Sequence, residues 1–180
     1  MASQAASCPL LGRHAVVTGG SRGIGLAIAS ALVDAGANVT LMARDGLRLE
    51  EAALALRSHD RSGLGRDFPA APEVSRPRPL PPGGESAQRV FSVVVDVADE
   101  SSVNAAFAAA CDANGPVDIL VNNAGVAESA PFAKTSVEQF QRLIDINLKG
   151  VWLCTQAFAA GLPKDTSADA PWRHVVNVAS

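Results

Sequence analysis

The 180 residues include no tyrosine, and phenylalanine and tryptophan together make up only 4%. A phenolic acid–base group is therefore excluded from the chain. Cysteine is scarce. Cys8, Cys111 and Cys154 are an odd number without Cys-x-x-Cys spacing, which indicates neither a disulfide framework nor a zinc site. Excess positive charge is missing too: the net charge is -3 and the pI is about 5.6, which argues against a basic, nucleic-acid-binding face. No apolar run reaches the length of a membrane span. The first residues, MASQAASCPLLGR, carry neither a basic segment nor a sustained apolar one, so no secretory signal is indicated. They are also too poor in arginine for a transit peptide. The expected location is the cytoplasm, with the mitochondrion left open. Histidine is limited to His14, His59 and His174, none with a second ligand at metal spacing, so no metal site is expected.

What is present suits a soluble globular chain with material for one core: 48% of residues are hydrophobic and 18% charged. The organising stretch is His14 to Gly25, HAVVTGGSRGIG. Its apolar run predicts a buried strand ending at Thr18, then a glycine-rich turn, then a helix carrying Leu26, Ile28, Ala29, Leu32 and Val33. Strand, turn and helix in that order begin a βαβ unit. A dinucleotide pyrophosphate needs backbone N–H groups at a helix N-terminus, approached where side chains are absent. Further strands are predicted at 39–43, 90–95, 117–121 and 173–179. Helices are predicted at about 47–57, from Asp99 or Ser101 to about 113, and continuously from about 136 to 160. Residues 58–89 hold most of the prolines with several glycines and serines, and read as a flexible surface insertion. Its Arg76-Pro77-Arg78-Pro79 run is suggestive of a docking segment. Alternating strands and helices with continuously apolar strands predict an α/β fold: a doubly wound, Rossmann-type parallel sheet in three α/β/α layers. The domain expected is a single dinucleotide-binding unit over 1–180. Ligands of such sheets bind beyond the carboxyl ends of the strands, and the unusual polar motifs all fall there.

The spacing Gly19-xxx-Gly23-x-Gly25, preceded by Thr18 and containing Ile24, resembles the TGxxxGIG signature of the short-chain dehydrogenase/reductase family. The chain also carries Asp96-Val97, NNAG at 122–125, Asn147 in an NLKG segment, and VVNVAS ending at Ser180. These are similar to five motifs of that family, in its order. The resemblance implies a cofactor site formed by Gly19, Ser21, Arg22, Gly23, Ile24, Gly25, Arg44, Asp96, Val97, Asn123, Ala124 and Gly125. It also implies that Ser180 hydrogen-bonds a substrate oxygen and that Asn147 holds a water in a proton relay. The family position at which NAD users carry aspartate is Ala43 here, and Arg44 follows. With Arg22 approaching from the glycine turn, two guanidiniums converge on a 2′-phosphate. NADP(H) is therefore favoured, with Asp45 keeping NAD(H) open. The family's Tyr-xxx-Lys lies beyond Ser180, so the chain reads as the N-terminal part of such a domain, without its last strands and helices and inactive alone. A carbonyl or hydroxy compound is the implied substrate, with 3-oxoacyl thioesters and 3-hydroxyacyl compounds as the class suggested by the resemblance. A homodimer or homotetramer is implied for a full-length form. The competing reading is a non-catalytic NADP(H)-binding or regulatory subunit.

Overall fold

Each predicted strand forms, and all pair in parallel. The computed structural model describes residues 8–58, 89–128, 130–162 and 172–179. In chain order the main elements are β1 (His14–Thr18), α1 (Gly23–Asp34), β2 (Asn38–Ala43), α2 (Gly46–Arg57) and β3 (Val90–Val94). There follow α3 (Glu100–Asn114), β4 (Ile119–Asn122), α4 (Val137–Ile144), α5 (Gly150–Ala160) and β5 (His174–Asn177). Apart from Ser58 and Arg89 at its ends, the 58–89 segment lies outside the described residues, as does Ser180.

The five strands stand in the order β3-β2-β1-β4-β5. The chain winds outward from β1 through β2 to β3, then returns to the other side of β1 at β4. The crevice opened at this reversal, between β1 and β4, is where a doubly wound sheet binds ligands. Strand periodicity explains why the runs are apolar throughout: alternate residues serve opposite faces. Val17, Val39, Leu41, Ile119 and Val121 pack with Ala29 and Val33 of α1 and Leu49 and Ala53 of α2. Val16, Met42 and Leu120 face the other way, onto Val103 and Phe107 of α3 and Leu153 and Phe158 of α5. A Rossmann-type sheet with helices on both faces is the result.

Two departures from the sequence-based expectation have physical causes. The helix predicted over 136–160 is broken by a π-helical segment, Asp145–Lys149. There the Asn147 amide is bonded to the chain at Val126, with Val126 N–H donating to Oδ1 at 2.9 Å and Nδ2 donating to Val126 O at 2.8 Å. Just beyond, Gly150 lies so close to the loop after β3 that a Cβ would stand 2.9 Å from Val97 Cγ2. The widened turn admits both contacts. Secondly, the run at β5 is as apolar as the other strands, yet Val175 and Val176 are 40% and 47% exposed. The described helices lie over the strands from β1 to β4, and β5 is held chiefly by its ladder to β4. No helix among the described residues is long and apolar enough to cross a membrane.

The amino ends of the strands, opposite the crevice, are tied by a polar cluster. Asp118 accepts from the His14 backbone N–H at 3.0 Å and pairs with Arg13 at 3.2 Å and Arg173 at 2.8 Å. The buried His14 ring donates from Nδ1 to Gly115 O and accepts at Nε2 from the Thr40 hydroxyl, both at 2.8 Å. The carbonyl of Gly115 requires the proton on Nδ1, and in the neutral ring Nε2 is then the acceptor. Burial lowers the His14 pKa from its ordinary 6.5, and this outweighs the attraction of Asp118 and the carbonyl contacts with Gly115 and Pro116, which raise it. The unfolded chain therefore binds the proton first as pH falls. Stability is fully present above pH 6.5 and declines below it, by up to about 1.4 kcal/mol per pH unit, until the folded pKa is reached. Urea unfolding from pH 7.5 down to pH 5 should show this slope flattened in His14→Gln. An equally steep profile in that variant would assign the effect elsewhere.

Candidate functional site

The site begins where β1 ends. Gly19 has φ +67° and Gly23 φ +55°, left-handed values that favour glycine. A Cβ on Gly23 would meet nothing within 4 Å, so this position opens onto empty space. Gly25 is the opposite case: a Cβ there would collide with Gly19 O and Asn123 Nδ2. Glycine thus lets α1 begin directly against the turn. Helices α2, α3 and α4 are each capped by a side-chain acceptor, from Asp45, Asp99 and Ser136. The N-cap of α1 is Arg22, with no side-chain cap bond and no acidic residue in the first turn. Its first-turn N–H groups keep the need for an acceptor that the other helices satisfy internally. An anion would supply it.

A brace holds this turn to β4. Buried Thr18 accepts at Oγ1 from the backbone N–H groups of Asn123 and Ala124, both at 3.0 Å, and donates to Val121 O at 3.3 Å. Asn123 Nδ2 donates back to Thr18 O at 3.1 Å and Gly19 O at 3.3 Å. The NNAG segment is therefore fastened to the glycine turn at its side chain and its backbone. Asn122, the first of the pair, serves the sheet instead, donating to Asn177 Oδ1 at 2.9 Å and Thr155 Oγ1 at 3.2 Å.

Between these parts lies a cavity of about 430 Å³, within the size of small-molecule sites. Its walls bring together Gly19, Ser21, Arg22, Gly23, Ile24 and Gly25 of the first turn, Arg44 after β2, Asp96 and Val97 after β3, and Asn123, Ala124 and Gly125 after β4. All twelve cofactor positions expected from the sequence line one space. Asn147 is outside this lining, bonded to Val126, which is inside it. Ser180 lies outside the described residues, three positions past β5. The sequence reading missed Met42, Val95, Val126, Ile146 and Arg48 as wall residues. The first two continue strands already recognised. Arg48 could have been found from its place three residues after the cap Asp45, on the first turn of α2.

The charges around the cavity are unevenly engaged. Arg22 and Arg44 pair with no carboxylate among the described residues. Asp45, by contrast, accepts from the Arg48 backbone N–H at 3.2 Å and lies 3.3 Å from Arg48 Nε. Asp96 uses Oδ1 to accept from Ala98 N–H at 3.0 Å, and its own N–H donates to Ser102 Oγ. No cluster of histidine, cysteine and carboxylate suited to a metal occurs among the described residues.

A profile of the short chain dehydrogenase family matches residues 13–70 and 82–180. An NADPH-dependent aldehyde reductase-like protein, chloroplastic, of Arabidopsis thaliana is 37% identical over 158 residues, covering 84% of this chain and 51% of the relative. The rhamnolipids biosynthesis 3-oxoacyl-[acyl-carrier-protein] reductase of Pseudomonas aeruginosa is 31% identical over 171 residues, covering 95% and 56%. The NADPH-bound structure of a short chain oxidoreductase from Pseudomonas aeruginosa PAO1, with an atypical catalytic center, superposes with a TM-score of 0.67. It is 34% identical, over 85% of this chain and 50% of that one. The chain thus spans about half the length of the relatives it matches. With the family profile matched over most of the sequence and a solved short chain oxidoreductase superposing on 85% of it, the chain belongs to the short chain dehydrogenase family.

Proposed function

We propose that the cavity between β1 and β4 binds NADP(H), and that the chain supplies the cofactor-binding half of an oxidoreductase interconverting carbonyls and alcohols. One observation carries this reading: the uncapped start of α1 and the open side of Gly23 share a cavity with Arg22 and Arg44, which pair with no carboxylate among the described residues. Ala43 stands there where an acidic residue would recognise the ribose of NAD. The NADPH-dependent relative and the NADPH-bound neighbour support it.

NADP(H) supplies hydride chemistry when bound. The residues of this chain do the holding. Backbone N–H groups from the turn and α1 receive the pyrophosphate, Arg22 and Arg44 the 2′-phosphate, and Asp96 and Val97 the adenosine. Asn123, Ala124 and Gly125 form the wall toward β4. Asn147 fixes the Val126 backbone beside that wall, and Ser180 hydrogen-bonds the substrate oxygen. A 3-oxoacyl thioester is the substrate class favoured, in keeping with the Pseudomonas reductase. Exposed Val137 and Phe140 of α4, Leu148 of the π-helical segment and Trp152 of α5 suit pairing of copies into a homodimer or homotetramer.

A second reading is a non-catalytic NADP(H)-binding subunit, which needs the same cavity and none of the chemistry beyond it. Titration of NADPH and NADH against the chain, followed by quenching of tryptophan emission, tests what both readings share. NADPH should bind at least about tenfold more tightly, and Arg44→Ala should reduce that preference about tenfold. Equal affinities for the two nucleotides would remove NADP(H) from the account. NADPH-dependent reduction of a 3-oxoacyl thioester by a protein that joins this chain to a Tyr-xxx-Lys segment would then separate the readings, since a binding subunit gives no turnover even there.

A further inference from the structure

We propose that Arg48 is a third guanidinium of the 2′-phosphate site, and that Asp45 is its counter-ion, restraining it until phosphate arrives. The inference rests on the NADP(H) reading and extends it to two residues that no sequence motif marks. Arg48 lines the same cavity as Arg22 and Arg44, on the first turn of α2. Its side chain meets Asp45 Oδ2 through Nε at 3.3 Å, while Asp45 Oδ1 accepts from its backbone N–H. The two side chains are 58% and 52% exposed, so their ion pair is solvated and weakly held. A phosphate group carries up to two negative charges and three strong acceptor oxygens, so it can hold a third guanidinium beside two others and is a stronger partner for it than one exposed, singly charged carboxylate.

The pair also bears on what the site refuses. Asp45 is the acidic group near the end of β2 that could serve the ribose hydroxyls of NAD(H). It is occupied twice over by Arg48, as cap and as ion pair. Arg48 therefore acts in two ways, adding positive charge for the phosphate and withholding the carboxylate from the hydroxyls. Removing the guanidinium weakens the first and releases the second.

The test uses the whole chain with two adenosine probes, 2′,5′-ADP and AMP, titrated by calorimetry at one fixed ionic strength. Both probes carry the 5′-phosphate, so their ratio isolates the 2′-phosphate. Wild type should prefer 2′,5′-ADP. Arg48→Gln should lower the preference about tenfold, with AMP binding nearly unchanged. Asp45→Asn keeps a competent cap but removes the competing charge, and should raise 2′,5′-ADP affinity severalfold. A wild-type preference that neither substitution moves would overturn the role of Arg48 and leave the cofactor reading standing. Equal binding of both probes by wild type would overturn the cofactor reading and this inference with it.

Discussion

Gly25→Ala should reduce NADPH affinity at least about a hundredfold, whereas Gly23→Ala, two residues earlier, should reduce it only about tenfold. The difference lies in what each added methyl meets. At Gly25 it collides with Gly19 O and Asn123 Nδ2, and those two atoms are themselves hydrogen-bonded at 3.3 Å. Neither is the end of a flexible side chain free to swing aside. One is backbone in a residue held at φ +67°, and the other is tied also to Thr18 O. Relief requires separating α1 from the turn or the turn from β4, and either movement spoils the wall that receives the pyrophosphate. Overpacking of this kind costs about 1–3 kcal/mol of stability. At Gly23 the methyl enters open space, so no packing is lost, but φ of +55° is strained for alanine by about 1–2 kcal/mol. The methyl would stand where a cofactor phosphate approaches. The two variants should thus look alike in urea unfolding and separate in NADPH titration. Equal affinities in the titration would mean that the turn does not carry the pyrophosphate.

The sequence disclosed the framework because the framework rests on local rules. Five apolar runs could be read as strands since each serves both faces of the sheet, with Val16 and Val17 dividing between two cores. The glycine turn was legible because φ above zero and close approach leave few alternatives to glycine. Bonds across the fold left less trace. The π-helical segment at Asp145–Lys149 depends on Asn147 reaching Val126, 21 positions earlier; the sequence by itself shows only an unbroken helical pattern. The exposure of β5 has the same origin, since Val175 and Val176 look like core residues and the sheet alone does not say what lies over them. Arg48 carries no motif signal in the sequence because its meaning comes from sharing a cavity with Arg22 and Arg44, residues of two other loops. Asp45 looked available to a ribose until its cap and ion pair with α2 were visible.

Thr18→Val should be the most destabilising single change near the cavity, although valine matches threonine closely in shape. Thr18 is 1% exposed, and its hydroxyl oxygen is the acceptor for two backbone N–H groups, those of Asn123 and Ala124. Valine leaves both donors without an acceptor in a space that its own methyl closes to water. A buried donor left unsatisfied costs about 1–3 kcal/mol, so the pair amounts to about 2–6 kcal/mol. The lost donation to Val121 O at 3.3 Å is long and adds little. Against a whole-protein stability of about 5–15 kcal/mol this is a large fraction, and it should appear as a lower urea midpoint. Thr18→Ser provides the control. It keeps the oxygen and gives up one methyl, a loss of about 0.8 kcal/mol, so it should unfold near wild type and retain NADPH binding. Equal destabilisation by serine and valine would show that packing of the methyl, rather than the two accepted bonds, holds the glycine turn to β4. A large gap between them would place the rigidity of the cofactor wall in a single oxygen atom at the end of β1.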